Sequence, residues 1–296
     1  MTRPPSLEIV IVSYRCRALL LACLASIRDN PYTGGPTQVI VVDNASGDGT
    51  TAAVREQFPD VRVIELSGNV GFSAGNNVAL RESRAEQVLL LNPDTEVWPG
   101  VLDAMSAFLS AHPRAGVVGC RLVRRDGSFD HAAKRTIPSV SDALRYFAPG
   151  RAQSGYLAPQ LAEDAIGAVD AVNGAFMLVR REAMEQVGLL DAGYWMYGED
   201  LDWCTRFRRA GWDVLYNGSV TTLHVKGAAA GTHRKLRPNA AFHQSMGRFY
   251  RRHLGGRSAA LDCAVYAGIG VKLALSICHS LLARGAGRLR GARTPG

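Results

Sequence analysis

Short aliphatic, β-branched runs alternate with stretches of helical period over the first 125 residues. Such runs read as buried strands, because a strand covered on both faces needs no polar alternation. The pattern predicts strands over residues 8–14, 38–43, 61–66, 87–92 and 117–122. Helices are expected over 17–28, 48–58 and 76–83, and from Pro99, suited to a first helical turn, to about His112. This rhythm predicts an α/β fold with a mostly parallel sheet and helices on both faces.

After Arg125 the rhythm breaks. Residues 126–168 are rich in Gly, Pro, Ser and Ala and read as an irregular excursion, with one helix near 141–147. A strand is expected over 171–180, a helix over 181–187, and another from Gly198 to Gly211, a C-terminal capping glycine. Short strands follow at 214–216 and 221–224, then a helix over 239–253. Residues 261–283 are apolar and about as long as a membrane span. They contain Asp262, Lys272 and His279, and a lysine in mid-span is costly in lipid. Arg251, Arg252 and Arg257 precede them; Arg284, Arg288, Arg290 and Arg293 follow. That pattern predicts a helix lying in a membrane interface, with a packed helix or a true span as alternatives. The expected division is a catalytic domain over 1–230, with a nucleotide-binding half (6–125) and an acceptor and catalytic half (126–230). A basic helical extension follows over 231–296.

Charge sharpens that division. The 296 residues carry a formal net charge of +8, and 47% are hydrophobic, enough for a sizeable core and against wholesale disorder. Residues 234–296 hold 12 Lys and Arg and one acid; residues 1–233 hold 22 against 25 acids. The tail therefore expects an anionic partner. A membrane surface fits better than nucleic acid, because the tail has few aromatics for base stacking and its longest helix is apolar. The six cysteines form no CxxC pair and read as reduced core thiols. The N-terminus does not resemble a signal peptide. The expected location is cytoplasmic, peripheral on the inner face of the membrane.

Candidate chemistry gathers where strands end, the usual ligand side of an open α/β sheet. Ser13-Tyr14-Arg15 follows the first strand. Asp43-Asn44 ends the second; its carboxylate suits a pyrimidine N–H, or a turn or helix cap. Residues 69–77 hold Gly71, Gly75, Asn76 and Asn77 and could let backbone approach a ligand, or could be a bare turn. Asn92-Pro93-Asp94 offers a hard oxygen ligand to Mg²⁺ or Mn²⁺, or a turn. Glu199, Asp200 and Asp202 crowd one helix start. Crowded carboxylates raise one another's pKa, which suits a general base; capping plus an Asp202–Arg206 pair is the alternative. Trp195, Tyr197 and Trp203 lie in the same stretch and could wall a sugar site. His224 could complete a metal site with Asp94, or be a satisfied core histidine.

Five segments in order, VIVVDNASGDGT (39–50), GNVGFSAGNNVAL (68–80), LLLNPDTEV (89–97), residues 172–212 and the closing His224, resemble one family. It is the family 2 inverting glycosyltransferases of the GT-A fold, especially the bacterial rhamnosyltransferase-like branch. The resemblance covers about residues 6–227. It implies that Asp43 and Asn44, with Ser13, Tyr14 and Arg15, bind the nucleotide, and that Gly71, Asn76 and Asn77 cradle the donor. Asn92 and Asp94 match the metal motif, where Asn92 replaces its first Asp, and His224 matches the distal metal ligand. Asp200 matches the catalytic base, supported by Glu199 and Asp202. The implied reaction moves a sugar, L-rhamnose from dTDP-rhamnose above all, to a lipid-linked or cell-envelope saccharide, with Mg²⁺ or Mn²⁺. A UDP-sugar donor is the alternative within the family.

Three rivals remain. A nucleotidyltransferase needs a glycine-rich loop after the first strand, and Ser13-Tyr14-Arg15-Cys16-Arg17 has no glycine. A noncatalytic, membrane-associated nucleotide-sugar-binding scaffold would not need Asp94, Asp200 and His224 together. A nucleic-acid binder is disfavoured by the apolar tail.

Overall fold

The computed structural model describes residues 6–139, 157–225, 236–256 and 258–291, with side chains described as far as Cys278. The central sheet starts from β1 (Leu7–Ser13), every residue of which is buried. It pairs in parallel with β2 (Thr37–Asp43) on one side and β4 (Gln87–Leu91) on the other. β3 (Arg62–Glu65) extends the parallel half beyond β2. Helices α1 (Arg17–Asp29), α2 (Thr50–Gln57), α3 (Phe72–Glu82) and α4 (Val101–Ala111) occur between these strands and β6 (Ala115–Val123). The strand ends carrying Ser13 and Asp43 are thereby set side by side.

The second half departs from a simple parallel sheet. The single strand expected over 171–180 is broken at Asn173-Gly174-Ala175, where the Asn173 side chain accepts the Ala175 N–H at 2.8 Å. Its first part, β9 (Ala171–Val172), pairs with β7 (Lys134–Arg135) in a separate ladder. Its second part, β10 (Phe176–Arg180), enters the main sheet between β4 and β6, antiparallel to both. The two short strands expected near 214 and 221 are one, β11 (Asp213–His224), whose register against β6 shifts between Asn217 and Thr221. The Asn217 side chain accepts both the N–H and the hydroxyl of Ser219 and so stabilises that bulge. β8 (Ile166–Ala168) and β5 (Thr95–Glu96) both pair with β11 in antiparallel fashion. The helix expected near 141–147 lies outside the described residues.

After α5 (Arg181–Val187) and α6 (Glu199–Arg209), two long helices close the chain, α7 (Leu236–His253) and α8 (Ala259–Gly291). α7 is docked on the body. Arg248 binds Asp191 through two hydrogen bonds of 2.9 and 2.8 Å, Arg252 adds a third contact to Asp191, and His253 lies 2.7 Å from Asp202. Burial alone would raise the Asp191 carboxyl, but the Gly193 N–H and the two arginines hold it below its usual range. Part of the tail's positive charge is thus paired with carboxylates of the body itself, where the charge count pointed to an external anionic partner. α8 runs back antiparallel along α7. Tyr250 donates to Asp262 at 2.8 Å at one end, and Ser276 donates to Asn239 at 2.9 Å at the other. Val265 and Ile269 pack on Tyr250 and Met246 between them. Away from α7, Val271 and Leu275 are exposed, and Tyr266, edge-on to Tyr250, is partly so. Ala259–Cys278 is long and apolar enough to cross a membrane.

Candidate active site

Ser13 and Asp43 are cross-strand neighbours at the ends of β1 and β2. The Asp43 carboxylate accepts the Ser46 N–H at 2.9 Å through Oδ2, while Oδ1 is buried without a partner. A buried carboxylate oxygen left open is an acceptor awaiting a donor. Ser46 in turn takes the Arg15 N–H at 2.9 Å, and Tyr14 beside it is exposed. Arg15 and Ala45 both hold positive φ, 51° and 61°. Strain of that kind in non-glycine residues concentrates at binding sites.

Asn44 works on the next loop. Its side chain accepts the Val70 N–H and donates to the Gly71 carbonyl, both at 3.0 Å. Gly71 has φ of 92°, and a Cβ there would lie 2.4 Å from the Trp195 carbonyl oxygen. Only glycine fits. α3 starts directly after it, earlier than the sequence suggested, so Asn76 and Asn77 sit inside the helix and not in a loop. Asn76 donates back to the Phe72 carbonyl, and the Asn77 amide is engaged at both ends by Leu190 backbone. These two residues brace the loop from within.

Asp94 and His224 are brought together by the β5–β11 ladder, in which Thr95 pairs with His224. Asp94 Oδ1 lies 3.5 Å from His224 Nε2, and the Val225 N–H donates to the Asp94 carbonyl at 2.7 Å. The other ring nitrogen, Nδ1, lies 3.1 Å from Asp130. Burial pushes the imidazole pKa down, but the hydrogen bonds to Asp130 and Asp94 outweigh it and lift the value to about 9. One carboxylate and one adjacent imidazole suit Mg²⁺ or Mn²⁺, which keep positions for phosphate oxygens and water. Among the described residues no larger metal-ligating cluster forms, so substrate oxygens would have to complete the set. Asn92 is tied in through its backbone: its N–H donates to the Ala175 carbonyl and its carbonyl accepts from Thr95.

The three acids of α6 part company. Asp200 accepts from Arg135, from the Gly174 N–H at 3.2 Å and from the Leu201 N–H at 2.8 Å. Glu199 is buried with Oε2 unpartnered, and burial followed by the charge of Asp200 pushes its pKa up to about 8. Asp202 is fully buried and bound by Arg206, Tyr194 and His253. Asp202 therefore faces the core and α7, and the expected Asp202–Arg206 pair is present at 2.8 Å. Trp203 is a core residue at 0% exposure, its Nε1 donating to the Gly188 carbonyl, so it walls no sugar site. Trp195 and Tyr197 are half-buried outside that core: Trp195 touches the Gly71 loop, and Tyr197, at φ 72°, stacks edge-on against Phe242.

Asp130, Arg135 and Gly174 are absent from the sequence-based site. Asp130 and Arg135 fall in the stretch read as irregular, where no periodicity marks them. The Asp126-Gly127 turn, with Gly127 at φ 78°, was the available signal that the chain returns there.

Comparison with known proteins agrees with this geometry. Residues 8–188 match the model of glycosyl transferase family 2. The chain is 30% identical over 292 residues to an N-acetylglucosaminyl-diphospho-decaprenol L-rhamnosyltransferase of Mycobacterium tuberculosis, covering 93% of this chain and 94% of the relative. A mannosyltransferase of Pyrobaculum calidifontis, solved with GDP-Man and Mn²⁺, superposes with a TM-score of 0.61 at 20% identity, over 97% of this chain and 81% of that one. TarS of S. aureus with UDP-GlcNAc gives a TM-score of 0.58 at 15% identity, over 89% and 71%. The chain belongs to glycosyl transferase family 2 and has the GT-A fold, with bacterial rhamnosyltransferases among its relatives.

Proposed function

We propose that this chain moves a sugar, L-rhamnose from dTDP-rhamnose, to a lipid-linked saccharide with inversion at the anomeric carbon. One observation carries the reading: the turn at Asn173-Gly174-Ala175 ties both halves of the centre together. The Ala175 carbonyl accepts from Asn92 and Thr95, while the neighbouring Gly174 N–H donates to Asp200. The Asp94 loop and Asp200 are therefore one rigid unit, as a leaving diphosphate and an attacking hydroxyl require. The M. tuberculosis relative, named for rhamnosyl transfer to a decaprenol-diphosphate-linked sugar, supports both donor and acceptor class.

Asp43 Oδ1 accepts the N3–H of the pyrimidine, a contact thymine and uracil share, so a UDP-sugar is the second donor reading. Asp94 and His224 are the residues that would hold a divalent metal, which would supply positive charge to offset what builds on the leaving diphosphate. Asp200, oriented by Arg135 and Gly174, takes the proton of the acceptor hydroxyl. Glu199, kept protonated near neutral pH, leaves the charge on Asp200; split environments divide two carboxylates between roles. One displacement needs no carboxylate nucleophile. α8 lies along α7, so its free apolar face meets the membrane in the plane of the surface, on the cytoplasmic side.

The test is Asp200→Asn assayed with dTDP-rhamnose. Transfer is expected to vanish while calorimetric binding of dTDP persists; sustained turnover overturns the base assignment.

A further inference from the structure

The chemistry above gives α7 no task beyond docking, yet one face of it meets the chain that opens α6. Ser245 donates its hydroxyl to the Met196 carbonyl at 3.1 Å. The Phe242 ring stands edge-on to Tyr197, with centroids 5.8 Å apart. Arg248 and Arg252 bind Asp191, and His253 meets Asp202. Residues 242, 245, 248 and 252 recur at steps of three and four and so share a helix face. That face touches residues on both sides of the Tyr197-Gly198 step, which leads directly into Glu199 and Asp200.

That step is strained. Tyr197 has φ of 72° and Gly198 φ of 81°, two consecutive left-handed residues. Glycine takes this conformation freely, but a bulky side chain keeps it only where its surroundings over-determine it. α7 supplies such surroundings. Ser245 is buried and fixes the Met196 carbonyl. A peptide unit is planar, so the Tyr197 nitrogen is fixed with that carbonyl. Phe242 holds the Tyr197 ring. A Cβ on Gly198 would lie 3.5 Å from the Ser245 Cβ, so α7 runs at contact distance along the turn. The turn sets the direction in which α6 begins. Asp200, its second residue, has to reach both Arg135 and the Gly174 N–H from there.

We propose that Ser245 and Phe242 are positioning residues for the transfer: they hold the left-handed Tyr197-Gly198 turn and thereby keep Asp200 aimed at the acceptor hydroxyl. This rests on the glycosyltransferase reading above. Both act through the turn and touch no reacting atom. The helix on which apolar α8 packs thus also sets the geometry of the base. The Asp43 end, where the nucleotide is read, is untouched by either residue, so their effect falls on turnover and not on nucleotide affinity.

The test uses the full chain, dTDP-rhamnose and a short prenyl diphosphate carrying N-acetylglucosamine. Ser245→Ala is expected to lower kcat by about tenfold to a hundredfold, the effect of a catalytic group displaced by about 1 Å. KM for the donor and calorimetric affinity for dTDP should stay near wild type. Ser245→Thr, which keeps the hydroxyl, should restore most of kcat. Phe242→Leu should act in the same sense as Ser245→Ala, and it carries the test if that variant does not fold. Tyr197→Gly relieves the strain, so in that background Ser245→Ala should lower kcat by a much smaller factor. Any direct contact of Tyr197 with acceptor is lost from both members of that pair and cancels in the ratio. Unchanged kcat overturns the proposal, as does an equal factor in both backgrounds or a loss confined to Tm. If the wild type transfers no sugar, the parent reading fails, and hydrogen exchange decides the positioning by itself. Amides 199–202 should then exchange about twofold to tenfold faster in Ser245→Ala, the worth of one hydrogen bond. Equal exchange rates reject the proposal.

Discussion

Asp130 lies 3.1 Å from Nδ1 of His224, and this contact leaves Nε2 facing Asp94 at 3.5 Å. The two residues are far apart in sequence and meet because the 124–129 turn returns the chain to β6, where the Asp130 N–H bonds the Leu122 carbonyl at 2.8 Å. Asp130 is itself fixed by accepting the Ala132 N–H. A carboxylate behind an imidazole sets ring orientation and basicity, as in many metal sites.

Asp130→Asn should therefore weaken Mn²⁺ binding by about tenfold to a hundredfold, read by titrating free Mn²⁺ in the presence of dTDP. In a His224→Ala background the same change should do little more. An additive loss would mean that Asp130 acts elsewhere.

Asp43→Ala removes the open acceptor at the nucleotide end. The expected loss is about 1.5–3 kcal/mol of nucleoside diphosphate affinity, the worth of a hydrogen bond to a charged group. Calorimetry with dTDP and UDP measures it, and Tm without ligand checks that the Ser46 turn survives.

Glu199 makes stability depend on pH. Its folded pKa, about 8, stands above the ordinary value of 4.5, so the native state holds the proton longer than the unfolded chain. Stability from this group is present below the unfolded value and is lost as pH rises toward and through the folded one. Glu199→Gln should flatten that decline, so Tm of the variant gains on wild type between pH 5 and about 8. Parallel Tm curves across this range would contradict the protonated Glu199.

Two tryptophans separate packing from recognition. Trp203→Ala opens a core cavity and should cost about 3–5 kcal/mol of stability, read by chemical denaturation. Trp195→Ala, at a half-buried ring beside the Gly71 loop, should leave stability nearer wild type and raise KM for the acceptor. The reverse pattern would exchange their roles.

Sequence alone placed the strands of the first half along the chain, because fully buried parallel strands leave unmistakable aliphatic runs such as Ile9–Val12 and Val88–Leu91. It also marked Asp43, Asp94, Asp200 and His224, since each lies at or just past a strand end or at a helix start and matches a motif of the family. Only the tertiary structure decided which neighbours serve them. Asp202 and Trp203 adjoin Asp200 in sequence yet turn to the core, because one helix carries opposite faces to different surroundings. Arg135 and Asp130 reach the site from a stretch without periodicity, through turns and a two-residue ladder that leave no hydrophobic pattern. The basic tail could be counted from sequence, but its division could not. Ion pairing with Asp191 and Asp202 holds Arg248, Arg252 and His253 against the body, while Arg237 lies over the Trp195 ring. Charge follows composition, whereas the partner of each charge is a matter of distance in the folded chain.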